Sequence, residues 1–156
     1  MTTLKPGMEA PHFEGIDQDG KPVRLEDYRG KTVVLYFYPK DMTPGCTAEA
    51  ISLKEGYDQL RSRGVEVLGV SPDPPESHVK FIQKHDLPFR LIADTDHKIA
   101  EAYGVWGKKK FMGREYMGVH RTTFIIDPEG KIRHVITKVD TKNHAEQVMR
   151  LLDEAQ

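Results

Sequence analysis

Six consecutive apolar or aromatic residues, Val33-Val34-Leu35-Tyr36-Phe37-Tyr38, restrict this chain more than any other stretch. Such a run has no polar side to offer water, so it reads as a strand buried on both faces of a sheet. Pro39 ends it, because proline cannot donate to the ladder. Thr43 before Pro44 is the pairing of an N-cap with a first-turn proline. The only cysteine, Cys46, therefore falls in the first turn of a helix. Backbone N–H groups there are unpaired and the macrodipole favours negative charge. A thiol so placed is expected to ionise and act as a nucleophile, although a lone cysteine is by default a small buried hydrophobe.

The helix after Cys46 has a clear inner stripe. At roughly 100° per residue, Cys46, Ala50, Leu53, Tyr57 and Leu60 cluster on one side. Ile51 falls roughly 140° away, an odd place for isoleucine on an outer face. Glycine at the usual stop position ends this helix near Arg63-Gly64.

Around this centre the other elements follow in order. Residues 11–16 and 21–25 flank Asp17-Gln18-Asp19-Gly20 as a hairpin. Residues 25–31 form a short turn or helix ending at Gly30. After the helix comes a second core strand at 65–71, and Pro72-Asp73-Pro74-Pro75 breaks the chain. A helix at 76–86 offers Val79, Phe81, Ile82 and His85 as contacts. A short strand at 89–93 leads to a helix at 97–103, with Asp94 and Asp96 as its caps. Residues 104–118, rich in glycine and lysine, read as a long, partly ordered loop. Strands at 120–127 and 131–137 flank the turn Asp127-Pro128-Glu129-Gly130. A helix over 143–155 closes the chain, with Ala145, Val148, Leu151 and Leu152 at helical spacing.

The order is hairpin, βαβαβα, hairpin, α. Alternation through the middle implies parallel strands with crossovers, and the late hairpin makes the sheet mixed. This is the element order of an α/β, thioredoxin-like fold: a mixed central sheet flanked by helices, with an N-terminal β-hairpin. With 156 residues, no repeats and no linker, a single domain over 1–156 is expected.

Composition excludes several function classes. A formal net charge of −1 gives no reason to expect nucleic acid or anionic lipid as a partner. No apolar run approaches the roughly 20 residues of a membrane span. The first residues lack the apolar core of a secretory signal, so the expectation is cytoplasmic. One cysteine forbids an internal disulfide and permits a catalytic thiol or a bridge between chains. The histidines form no ligand-spacing pattern such as His-Glu-x-x-His, so no metal or other cofactor is expected. His120 reads as solvated or packed. Lys108-Lys109-Lys110 reads as a solvated run, or as a source of positive potential near Cys46. Trp106, Phe111, Tyr116 and Met117 read as a loop folded over the core, a substrate entrance or a dimer face.

The stretch from Pro39 to Cys46 resembles the peroxiredoxin motif Pro-x-x-x-Thr-x-x-Cys. Tyr36-Phe37-Tyr38 and the Pro44-Gly45 before Cys46 are similar to the bacterioferritin-comigratory-protein (PrxQ) branch. The likeness extends to residues 69–73, 87–89, 94–96 and 120–127. It implies a thiol-dependent peroxidase acting on hydrogen peroxide and organic hydroperoxides, with roles in redox homeostasis. It further implies that Cys46 is the peroxidatic thiol, that Thr43 hydrogen-bonds the peroxide and that Pro39 shields the sulfur. Arg121 would hold thiolate and peroxide oxygens, with help from the Gly45 and Cys46 amides. Gly45 would allow close approach of substrate. Many members of the branch carry a second, resolving cysteine where this chain has Ile51. The resemblance therefore implies an external thiol reductant, either thioredoxin or glutathione and glutaredoxin, and a monomer or weak homodimer. The competing reading is a thioredoxin-fold holdase or redox-sensing binding protein whose cysteine is structural. A thioredoxin-type oxidoreductase is disfavoured by the missing Cys-x-x-Cys pair.

Overall fold

The computed structural model describes residues 2–154. A hairpin of β1 (Glu14–Ile16) and β2 (Pro22–Arg24) comes first. The core strand β3 (Thr32–Phe37) leads to α1 (Pro44–Glu55) and α2 (Tyr57–Ser62). Next are β4 (Val65–Ser71), α3 (Pro75–His85), β5 (Arg90–Ala93) and α4 (Lys98–Ala102). The strands β6 (Trp106–Phe111), β7 (Arg114–Val119), β8 (Thr122–Ile126) and β9 (Ile132–Ile136) follow, and α5 (His144–Glu154) ends the described chain. The expected end of that helix at Ala155 lies outside the described residues.

Five strands form the central sheet in the order β5-β4-β3-β8-β9. The β3–β4 and β4–β5 pairs are parallel, whereas β3–β8 and β8–β9 are antiparallel. All six residues of β3 are buried, as a central strand requires. Its alternation sorts the core into two layers. Val34, Tyr36 and Tyr38 pack with Cys46, Leu53 and Phe81, on the side of α1, α3 and α5. Val33, Leu35 and Phe37 pack with Ile99, Tyr103 and Phe124, on the side of α4 and the N-terminal hairpin. The sheet is thus clad on both faces, and the end of β3 delivers the chain directly to α1.

Three expectations need correction. The helix expected to run to Arg63 is broken at Gly56, between α1 and α2. A Cβ on Gly56 would lie 2.6 Å from the Ala145 Cβ, so α5 crosses too closely for any side chain there. Residues 104–118 are not a loop. They form the β6–β7 hairpin, paired from Trp106↔Val119 to Phe111↔Arg114 around a turn at Met112-Gly113, both in the left-handed region. The Lys-rich composition hid the alternation of that ribbon, because it stands away from the main sheet and has little apolar face to bury. On α3, Phe81 is buried as expected, but so is His78, which the apolar spacing did not select.

The expected caps of α4 are present. The Asp94 carboxylate accepts from the Ile99 and Ala100 amides at 3.1 and 2.9 Å, and Asp96 accepts from Lys98 N at 3.3 Å.

Candidate active site

Cys46 sits in the first turn of α1 with its side chain on the inner face, and the residue is only 1% exposed. The intrahelical ladder begins with Thr47 N donating to Thr43 O at 2.8 Å. The Gly45 and Cys46 amides therefore precede the ladder. Thr43 occupies the N-cap position with extended backbone, yet its side chain makes no cap hydrogen bond. Its hydroxyl donates instead to Lys40 O at 2.9 Å. That spends the one proton of the hydroxyl and leaves lone pairs, so toward a ligand Thr43 is an acceptor.

Arg121 lies in the two-residue link between β7 and β8 and reaches across to α1. Its Nη2 donates to Cys46 Sγ at 3.2 Å, and its Nη1 donates to Glu49 Oε1 at 2.6 Å. One planar fork thus spans sulfur and carboxylate, a geometry a lysine cannot reproduce. Gly45 makes room for it: a Cβ there would stand 3.2 Å from Arg121 Nη2. Gly45 was expected to give room to substrate; the group that approaches it in the structure is the guanidinium. Pro39 is half-buried, immediately after the residue whose amide ties β3 to Val70 O at 3.0 Å.

Glu49 is the residue that motif reasoning passed over. It is three positions after Cys46, on the same inner face, and its side chain is fully buried. Oε1 is held by Arg121, but Oε2 has no hydrogen-bond partner. His144 Nε2 lies 3.5 Å from it. That histidine is itself spoken for. Its Nδ1 is 2.9 Å from Gln147 Oε1, whose amide is oriented by donating from Nε2 to Lys138 O. Nδ1 thus carries the hydrogen, and Nε2 accepts from the Thr123 hydroxyl at 2.8 Å. Burial pushes the His144 pKa down to about 4, so the ring is neutral. Glu49 Oε2 therefore faces no donor. Burial lifts the Glu49 carboxyl to about 7, against the opposing pull of Arg121. A buried acid that helical spacing places on the Cys46 face was the available signal.

The middle residue of the lysine run also turns inward. Lys108 and Lys110 are exposed, while Lys109 is half-buried and donates from Nζ to Val119 O at 2.9 Å. Burial and the nearby Arg121 lower its pKa, whereas Cys46 acts in the opposite sense. His120 packs against the same hairpin, with Nε2 3.0 Å from Lys108 O. Trp106 stacks on His97 with ring centroids 4.0 Å apart and is half-buried against the core; Phe111, Tyr116 and Met117 are exposed. Among the described residues no His, Cys, Asp and Glu cluster could hold a metal ion, and no helix is long and apolar enough to cross a membrane.

A thiol buried at a helix start beneath an arginine fork, on a mixed thioredoxin-like sheet, can be set beside known proteins. Residues 6–135 match the AhpC/TSA family. The chain belongs to that family. Its relatives include the peroxiredoxin Bcp of Escherichia coli K12, 49% identical over 154 residues, covering 99% of both chains. Among solved structures, a Cys-to-Ser mutant of PrxQ from Xylella fastidiosa superposes with a TM-score of 0.92 at 30% identity, covering 99% of this chain and 98% of that one. The yeast mitochondrial 1-Cys peroxiredoxin, described as resolved through glutathione and thioredoxin systems, gives 0.82 at 27% identity, covering 97% of this chain and 76% of that one. This peroxiredoxin is accordingly a thiol-dependent peroxidase, taking a peroxide substrate and a thiol reductant. It has one cysteine and carries Ile51, half-buried on α1, at the position where PrxQ members often hold a second.

Proposed function

We propose that Cys46 is the peroxidatic thiol and that an external thiol recycles it. The observation that carries this reading is the 3.2 Å contact from Arg121 Nη2 to Cys46 Sγ, with the guanidinium held from behind by Glu49. A cation so fixed stands against the sulfur, and its fork can also reach an oxygen bound there.

The Cys46 thiolate attacks one peroxide oxygen; the S–O bond forms as the O–O bond breaks. The electron pair of that bond leaves on the departing oxygen, which takes up the proton first carried by the attacked one. The products are an alcohol, or water from hydrogen peroxide, and the Cys46 sulfenate, which a proton from solvent converts to sulfenic acid. Charge grows on the departing oxygen, so donors preset around it lower the barrier. Arg121 and the Gly45 and Cys46 amides supply them. Thr43 accepts the peroxide O–H, because its own proton is committed to Lys40 O. Pro39 shields the sulfur from water.

The sulfenic acid then condenses with a first external thiol, releasing water and leaving a mixed disulfide. A second thiol frees Cys46 and carries away the new disulfide. Thioredoxin, or glutathione with glutaredoxin, fits this two-thiol requirement. The lone thiol suits the reducing cytoplasm, where such donors are abundant.

Cys46→Ser should abolish peroxide consumption, and dimedone should label the wild-type protein at Cys46 only after peroxide is added. A Cys46→Ser protein that keeps the wild-type peroxidase rate would overturn the assignment.

A further inference from the structure

The turn between β3 and α1 is held by a buried polar network outside the Cys46 site. Asp41 is 4% exposed, and His78 on α3 is fully buried. The Tyr38 hydroxyl donates to Asp41 Oδ1 at 2.6 Å, and the Ser77 hydroxyl donates to Oδ2 at 2.8 Å. His78 Nδ1 lies 2.7 Å from the same Oδ2, while its Nε2 lies 3.0 Å from Ile92 O on β5. A backbone carbonyl only accepts, so Nε2 carries a hydrogen. Nδ1 and the carboxylate then share one further proton, and the bond between them exists whichever atom holds it. The Asp41 amide donates to Asp73 Oδ2 at 2.7 Å, and Ser71 fixes that carboxylate at 2.8 Å.

Every one of these partners belongs to β4, β5, α3 or the link between β4 and α3, apart from Tyr38 at the end of β3. They converge on residues 39–43. This is the segment that carries Pro39 and Thr43, and its backbone is strained. Met42 adopts φ +68°, a region that a non-glycine residue occupies only where its surroundings over-determine it. The first turn of α3 supplies both Ser77 and His78, and its positive end favours the Asp41 carboxylate. Buried polar groups are costly unless satisfied; fully satisfied, they select one conformation.

We propose that His78, acting through Asp41, is a positioning residue that locks the 39–43 turn in the conformation that presents Pro39 and Thr43 to peroxide. This rests on the assignment of Cys46 above. His78 donates no proton to substrate; it transmits the rigidity of β5 and α3 to the peroxide-facing turn.

Paired substitutions separate the two bonds of His78. His78→Asn keeps a donor at the Nδ1 position, toward Asp41. His78→Gln keeps one at the Nε2 position, toward Ile92, and loses the tie to Asp41. The measurement is the single-turnover rate constant for hydrogen peroxide, taken well below each melting temperature. The reaction of preformed sulfenic acid with a small thiol is followed alongside. His78→Gln should lower the peroxide constant about tenfold or more, since small misplacements of a site are expensive. His78→Asn should restore most of it, and the thiol step should be unchanged in both. Asp41→Asn combined with His78→Gln should cost no more than the worse single change. Tyr38→Phe keeps the ring in the core and removes one donor to Asp41; it decides the matter should both histidine variants fail to fold, and should lower the peroxide constant at least about threefold. A wild-type peroxide constant in folded His78→Gln, equal losses in His78→Asn and His78→Gln, or no effect of Tyr38→Phe would overturn the proposal. Wild-type protein that forms no sulfenic acid on Cys46 would instead overturn the assignment on which it rests.

Discussion

At Arg121 a single side chain serves two partners. Its fork is divided between Cys46 and Glu49, so the charge available to the sulfur depends on the state of the acid. Glu49 titrates at about 7. Below that pH it is neutral and the whole guanidinium charge faces the sulfur; above it, the carboxylate claims a share. The wild-type rate constant for peroxide should therefore bend downward as pH rises through about 7, relative to Glu49→Gln, in which that bend should vanish. Stopped-flow peroxide kinetics across that range check this. Arg121→Lys should cost about 100-fold in the same constant, because a point charge on a flexible stem cannot hold both partners. Pro39, Thr43 and Cys46 stand in one linear motif, and the resemblance at residues 120–127 pointed to Arg121, which the structure places against Cys46. Glu49 and His78 were not legible, because their meaning lies in what surrounds a buried polar group, and the linear pattern does not show which strand or helix lies opposite.

For the secondary elements, legibility followed apolar periodicity. The buried strands β3, β4 and β8 and the inner stripe of α1 were plain from residue type. The break at Gly56 was hidden, since it answers to the distant α5. There Ala145 packs against the glycine and its amide donates to Ser52 Oγ at 3.1 Å. Gly56→Ala should thus destabilise the fold by about 1–3 kcal/mol despite the better helix propensity of alanine. Urea denaturation reads this directly, and a stabilised variant would show that α5 yields easily. The β6–β7 hairpin was missed for the opposite reason: its pairing depends on its turn and ladder, with only Trp106 and Val119 anchored in the core.

Across the whole molecule, two buried groups set opposing pH responses. Glu49 is raised from 4.5 to about 7 in the fold, so its stabilising contribution is full below 4.5 and lost as pH rises through about 7. His144 is lowered from 6.5 to about 4, so its contribution is full above 6.5 and lost as pH falls toward 4. Each is of order 3 kcal/mol, and over the shared window they offset one another. Glu49→Gln should unmask the histidine: its stability should drop by a few kcal/mol between pH 7 and pH 4, where the wild type changes little. Chemical denaturation at successive pH values measures this, and parallel curves for the two proteins would refute it.

A cysteine that is 1% exposed admits a small hydroperoxide far more readily than the face of another protein. Oxidation and recycling therefore place different demands on the first turn of α1. On the proposed cycle the former would use that turn wound and the latter would use it frayed, and no side chain of the N-cap staples it shut. Turnover should then keep time with the opening of the turn: a disulfide stapling it to its neighbours would leave the burst of peroxide consumption intact and stall every cycle after the first.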